Sequence, residues 1–113
     1  MSDPAPYFAE IAPDAPVAQA RWITAKDGVR LRAGIWHAPA PKATLVLFPG
    51  RTEYIEKYAP VAGDMAAHGI SSIAIDWRGQ GLADRLLPDP LPGHVTCFSD
   101  YQLDVAALLQ HAR

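Results

Sequence analysis

Two stretches of the chain decide its fold: LVLFPGR at residues 45–51 and IAIDWRGQG at residues 73–81. Each begins with a short apolar run and breaks at a turn that contains glycine. A helical pattern lies between them, and this order of elements is typical of a βαβ unit in a parallel sheet. The first run has no polar alternation, which predicts a strand covered on both faces. Ligands bind such sheets just beyond the carboxyl ends of the strands, so Gly50 and Asp76 mark the expected place of a site.

The residues before this unit predict a β-hairpin. Strand-like runs at 21–25 and 29–37 flank Asp27-Gly28, and Asp-Gly is a strong hairpin signal because glycine supplies the positive φ of the turn. The second strand alternates apolar and polar positions, which predicts one buried and one wetter face. The predicted wetter face consists of Arg30, Arg32 and Gly34. Residues 1–20 are rich in Pro and Ala and predict an extended, poorly ordered lead-in, which leaves residues 21–113 as the folded part.

Two helices are expected. Apolar residues at helical spacing predict the first from Tyr58 to His68, with Gly69 as its left-handed cap. Ser99 and Gln102 form a capping box that predicts the start of the second. The proline-rich stretch between the second glycine turn and Ser99 predicts a long loop.

Composition excludes several classes of function. The 113 residues, half of them hydrophobic, with a formal net charge of −2, predict one small domain without a basic face for nucleic acid. No apolar run is long enough to span a bilayer, and the first residues do not form a secretory signal. The single Cys97 needs no oxidising compartment, so a cytoplasmic location is expected. No Cys/His metal spacing is present, and neither a metal nor another cofactor is expected.

The sequence lacks the most direct catalytic motifs. Its only serines are Ser2, Ser71, Ser72 and Ser99, and none lies in a Gly-x-Ser-x-Gly pattern. Gly79-Gln80-Gly81 is similar to the start of a dinucleotide fingerprint. Because Asp84 stands where the third glycine belongs, that interpretation is weak.

Residues 45–53 and 75–81, taken together, resemble the start of an α/β-hydrolase. Within that fold they are similar to the monoacylglycerol lipase and lysophospholipase group, which is often described as serine aminopeptidase-like. RLLPDP at residues 85–90 and GHV at residues 93–95 resemble the bacterial lysophospholipase branch. The resemblance runs from about Arg21 to the end and implies an α/β fold class. It implies the N-terminal part of an α/β-hydrolase: a β-hairpin, a βαβ unit and a further helix.

The resemblance also implies an oxyanion hole at the first turn. In this family the backbone N–H of the residue after the turn glycine forms half of the hole, which corresponds to Arg51 here. Gly50 would allow the close backbone approach. Two positions depart from the family pattern: Pro49 stands in place of the usual His, and Ala83 stands where many relatives carry Ser.

The remaining site residues are expected to support these loops. Glu53 is expected to tie the oxyanion turn to nearby backbone, and His94 to fix its loop through a hydrogen bond. The turn after the second apolar run is expected to be braced by Asp76, Arg78, Gly79 and Gly81. No histidine of the chain corresponds to the catalytic histidine of the family, so nucleophile, acid and base are expected downstream.

The resemblance therefore implies the N-terminal fragment of a serine hydrolase that cleaves carboxylic esters of lysophospholipids or monoacylglycerols. Such an enzyme works through an acyl-serine intermediate and has a lipid-like ester as its partner. Peripheral membrane contact and self-association of the fragment are further expectations, and the 113 residues alone are predicted to be inactive. A peptidase or an epoxide hydrolase on the same fold remains an alternative. A truncated, non-catalytic product that binds a partner or nothing is another.

Overall fold

A computed structural model describes residues 3–50, 53–85 and 98–112. Its strands are β1 (Gln19–Thr24), β2 (Arg30–Trp36), β3 (Ala43–Leu47) and β4 (Ile70–Asp76), and its helices are α1 (Ala59–Ala67) and α2 (Tyr101–Ala112). Short 3-10 turns are formed by Ala9–Ile11, Ile55–Tyr58 and Phe98–Asp100.

The four strands form one mixed sheet in the order β1-β2-β4-β3. β2 pairs antiparallel with both β1 and β4, whereas β3 lies parallel to β4, with Val46 opposite Ile73. The predicted βαβ unit is confirmed, since α1 connects the two parallel strands. The prediction that both faces of β3 are covered is wrong for the described residues. β3 lies at the edge of their sheet, and its residues are exposed or only half-buried.

Helices α1 and α2 pack on opposite faces of the sheet. Ala59 and Ala62 of α1 pack with Ala74 of β4, whereas Leu108 of α2 packs with Ile73 and Ile75. Successive residues of a strand face opposite sides, so β4 contributes to both cores and is buried along nearly its whole length. Because β3 pairs parallel to β4, the carboxyl ends of these two strands lie side by side.

The predicted hairpin is confirmed, but its wetter face is not. Thr24 pairs with Arg30 across the turn, and Gly28 has a φ of +89°. In β2, however, Arg32 is 1% exposed and Gly34 is also buried. The Arg32 guanidinium binds the Pro6 carbonyl before β1, Glu56 of the 3-10 turn Ile55–Tyr58 and Asp76 of β4.

Within the described part of the lead-in, residues make hydrogen bonds to the sheet. Pro4 forms a bridge with Arg21, and the Ala5 N–H donates to the Ala20 carbonyl at 3.0 Å. The indole Nε1 of Trp36 donates to the Pro16 carbonyl at 3.0 Å. Proline has no N–H, but its carbonyl remains an acceptor, so a proline-rich segment can still be fixed by hydrogen bonds. The expected boundary after residue 20 falls within β1.

Helix α1 begins one residue later than predicted and ends near the expected residue. The 3-10 turn Ile55–Tyr58 precedes it, and Pro60 lies in its first turn, where a missing N–H has no cost. Gly69 follows with a φ of +75°, as expected for a left-handed cap. Among the described residues no helix is both long and apolar enough to cross a membrane.

Candidate functional site

The turn after β3 is held by the carboxylate of Glu53. The Gly50 N–H donates to Glu53 Oε1 at 2.5 Å, and the Glu53 N–H donates back to the Gly50 carbonyl at 3.2 Å. A Cβ atom placed at Gly50 would lie 2.8 Å from that same Oε1. A side chain at this position would therefore require the end of the Glu53 side chain to shift.

Two further groups donate to Glu53. The hydroxyl of Tyr58 donates to Oε1 and the ammonium of Lys57 donates to Oε2, each at 2.5 Å. Together with the Gly50 N–H, these donors lower the pKa of Glu53 to about 2, with Lys57 the largest cause. Tyr58 was not singled out from the sequence. Tyr58 lies only five residues after Glu53 and directly before α1. This closeness in sequence is the signal that could have identified it.

The carbonyl of Pro49 is fixed from the neighbouring strand. The indole Nε1 of Trp77 donates to it at 2.7 Å. The Trp77 ring stacks on Phe48 at a centroid distance of 5.6 Å and meets Tyr101 edge-on at 5.0 Å. Pro49 has no side-chain donor of its own, and its backbone carbonyl is held by Trp77.

Asp76 is a completely buried carboxylate at the carboxyl end of β4. Its Oδ2 accepts from Arg32 Nε at 2.8 Å and from the Leu82 N–H at 2.9 Å. Its Oδ1 accepts from the Ile55 N–H at 2.9 Å. Burial raises the pKa of Asp76, and the Arg32 guanidinium opposes that rise. The side chain therefore connects β2, the start of the 3-10 turn Ile55–Tyr58 and the loop after β4, an architectural arrangement.

The loop after β4 requires its glycines. Gly79 and Gly81 have φ angles of +78° and +52°. A Cβ atom at Gly81 would lie 2.2 Å from Cγ of Asp76, so any side chain there would displace that carboxylate. The Arg85 guanidinium donates to the carbonyls of both glycines, to that of Gly81 at 2.6 Å.

Arg78 ties this loop to two distant elements. Its guanidinium pairs with Asp104 of α2 at 2.8 Å and with Asp27 of the hairpin turn at 2.7 Å. Arg78 and Asp104 are buried, whereas Asp27 is partly exposed. Arg78 holds the pKa of the Asp27 carboxyl below its usual range. Through these contacts Arg78 joins the loop after β4 to α2 and to the hairpin turn.

The structure brings most of the expected site residues into two adjoining groups. Gly50 and Glu53 form the first, and Asp76 with the glycines after it forms the second. The short segment from Glu53 to Ile55 connects them, because Glu53 binds the first turn and Ile55 binds Asp76. Arg51 and His94 lie outside the described residues. Arg32, Glu56, Tyr58 and Asp104 take part in these contacts and were missed as site residues.

The sheet order and the two turns at the carboxyl ends of β3 and β4 define the N-terminal part of an α/β-hydrolase fold. A sequence profile described as "Serine aminopeptidase, S33" matches residues 39–113, and the chain belongs to this family. Over 88 residues it is 41% identical to lysophospholipase L2 of Escherichia coli K12. That match covers 78% of this chain and 26% of the relative, so the chain spans about a quarter of the length of that enzyme.

Two solved structures show the same fold at low identity. An esterase from Pyrococcus furiosus superposes with a TM-score of 0.64 at 16% identity, covering 98% of this chain and 41% of its own. An epoxide hydrolase from Vigna radiata gives 0.60 at 18% identity, covering 84% and 27%. At these identities the two structures are evidence for the fold alone.

Proposed function

We propose that the complete protein is a serine hydrolase acting on the carboxylic esters of lysophospholipids or monoacylglycerols. In this proposal the present chain supplies one half of the oxyanion hole. The observation that carries the proposal is the β3 turn held by Glu53, in a chain 41% identical to a lysophospholipase over 88 residues.

The proposed role of the turn is electrostatic. When a serine attacks the ester carbonyl, negative charge develops on the carbonyl oxygen, and the backbone N–H of Arg51 would donate to it. A donor that is fixed before the reaction needs no reorganisation, and loss of one such donor costs about 3 kcal/mol in barrier. Glu53 and Trp77 hold the residues on the amino side of Arg51. The serine and its histidine base would come from the rest of the protein, and the acyl-serine would then be hydrolysed by water.

The experiment is a comparison of substrates with the complete protein. We expect turnover of lysophosphatidylcholine and of a monoacylglycerol, and a lower kcat in Glu53→Gln, which loses the charge that binds the Gly50 N–H. Asp64→Asn is the matched control, because Asp64 is an exposed carboxylate on α1, and it should keep the wild-type kcat. Turnover of peptides or epoxides in place of both esters would refute the proposed substrate class.

The 113-residue chain alone should be inactive. No serine of its sequence lies in a Gly-x-Ser-x-Gly pattern, so a fluorophosphonate probe should not label it. Stoichiometric labelling of any serine in the chain would contradict this proposal.

We further propose a cytoplasmic protein with peripheral membrane contact. The single Cys97 is compatible with a reducing compartment, and a lipid-like substrate resides at membrane surfaces. The exposed side chains of Phe8 (41%) and Ile11 (46%) offer apolar area beside the turn residue Tyr54. Cosedimentation of the complete protein with phosphatidylcholine vesicles tests the contact, and Phe8→Ser should weaken it.

A further inference from the structure

Glu56 and Arg32 form a buried ion pair that the proposed chemistry does not use directly. Both oxygens of the carboxylate accept from the guanidinium, each at 2.6 Å, and both side chains are 1% exposed. Such a two-point pair fixes direction as well as distance. Because Glu56 lies in the 3-10 turn Ile55–Tyr58, the pair anchors that turn to β2.

The N-terminal segment completes the pair from the other side. The Phe8 N–H donates to Glu56 Oε2 at 2.9 Å, and Arg32 Nη1 donates to the Pro6 carbonyl at 2.9 Å. The preceding residues are held against β1, where the Ala5 N–H reaches the Ala20 carbonyl. Residues 6–8 therefore cover the ion pair and contribute both a donor and an acceptor to it.

The same guanidinium leads to the candidate site. Arg32 Nε binds Asp76, and Asp76 accepts the N–H of Ile55, the residue before Glu56. The adjacent residues Ile55 and Glu56 are thus both fixed through carboxylates that bind Arg32. Asp76 accepts the Ile55 N–H, and Glu56 binds Arg32 directly. Glu53, two residues before Ile55, binds the Gly50 N–H at the turn after β3.

We propose that Glu56 is a positioning residue for the oxyanion turn and that residues 6–8 clamp it through Arg32. The inference rests on the proposed function for its catalytic consequence. Its physical basis is geometric. Glu53 and Glu56 lie in one short segment, so a displacement of Glu56 also moves Glu53 and the Gly50 N–H that Glu53 binds. Displacements of about 1 Å at a reacting centre can cost about a hundredfold in rate.

Two variants of the complete protein loosen the clamp in different ways. Glu56→Gln keeps the size of the side chain but sets an amide against the guanidinium. Phe8→Pro removes the N–H that binds Glu56 together with the exposed ring, so Phe8→Ala, which loses the ring and keeps the N–H, is measured beside it. The matched controls are Glu10→Gln, an exposed glutamate in the same segment, and Ala9→Pro, the neighbouring position at the start of a 3-10 turn.

The kinetic result expected for both variants is a fall in kcat with KM within about twofold of wild type. The fall is about 10- to 100-fold for Glu56→Gln and smaller for Phe8→Pro. Binding of a trifluoromethyl ketone, which forms a tetrahedral adduct, should weaken in parallel with kcat. The double variant should be no worse than Glu56→Gln alone, because the two changes break one network. Both controls should match wild type.

Amide exchange gives a readout that does not depend on activity. In Glu56→Gln the peptide covering residues 53–58 should exchange at least about tenfold faster, at a temperature where far-UV circular dichroism shows a folded protein. Wild-type exchange in this peptide would overturn the clamp whether or not the protein hydrolyses esters. An active wild type combined with an unchanged kcat in Glu56→Gln would overturn the positioning role alone. An inactive wild type would instead refute the proposed function.

Discussion

The indole Nε1 of Trp77 and the carbonyl oxygen of Pro49 lie 2.7 Å apart, in a hydrogen bond that joins the loop after β4 to the turn after β3. We predict that Trp77→Phe lowers the free energy of unfolding of the complete protein by about 1 kcal/mol, the net worth of one such bond. The ring contact with Phe48 would largely remain. Urea denaturation measures the loss.

The control for this prediction is Trp22→Phe. Trp22 lies half-buried on β1 and packs its ring under the Arg30 guanidinium, 4.0 Å from the centroid. The same change there removes no hydrogen bond to the turn. A loss of stability equal to that of Trp77→Phe, with unchanged ester turnover in both, would show that the Trp77 bond has no special role.

Gly81 and Asp76 make a second, sharper prediction. A methyl group at Gly81 would overlap the Asp76 carboxylate and would also force alanine into a φ of +52°. We expect Gly81→Ala to cost about 3 kcal/mol, the sum of left-handed strain and overpacking. Gly28→Ala is the control, because Gly28 has a φ of +89° but nothing within 4 Å of a new Cβ, so only about 1 kcal/mol of strain is expected. Equal thermal midpoints for the two variants would contradict the overlap.

The interactions of Glu53 predict a dependence of stability on pH. Folding lowers its pKa from 4.5 to about 2, so the ionised carboxylate contributes stability that is fully present above pH 4.5. That contribution is lost as the pH falls from 4.5 toward about 2. The difference in unfolding free energy between wild type and Glu53→Gln should therefore shrink over this interval. Urea midpoints of the two proteins, measured from about pH 6 to about pH 2, provide the test.

The comparison needs a second carboxylate variant, since other acidic groups titrate in the same range. Asp64→Asn removes an exposed carboxylate, and its difference from wild type should stay flat over the interval. If the Glu53→Gln difference is equally flat, the contacts of Glu53 with Lys57 and Tyr58 do not contribute to folding.

The local features of the fold were predictable from the sequence, because each rests on a signal within a few residues. Asp27-Gly28 identified the hairpin, and the apolar runs identified β3 and β4. Resemblance to a family then supplied what local patterns cannot, the fold to which the hairpin and the βαβ unit belong. Gly50 followed from the glycine turn that ends the first apolar run, whereas the interest in Glu53 came from the resemblance.

The buried charge network was not predictable, and Arg32 shows why. An arginine at an alternate position of a strand normally indicates a solvated face. Here its partners Glu56 and Asp76 lie 24 and 44 residues away, so no spacing rule connects them. Asp104 was missed for the same reason, since it pairs with Arg78 across 26 residues. The contacts of the lead-in were not predictable either, because composition does not record that the side chains of Arg32 and Glu56 bind the backbone of Pro6 and Phe8.

The last prediction concerns β3, which lies at the edge of the sheet formed by the described residues. An edge strand presents unpaired backbone groups, and natural edges are usually protected by charge, proline or a covering segment. Residues 43–50 carry no charge, and the apolar Phe48 among them is 46% exposed. We therefore expect the isolated 113-residue chain to self-associate in sedimentation velocity experiments. Thr44→Lys, which adds a charge at an exposed position of this edge, should shift it toward the monomer, whereas Thr24→Lys on β1 should not. A monodisperse wild-type monomer with strongly protected amides at residues 45–48 would contradict the prediction.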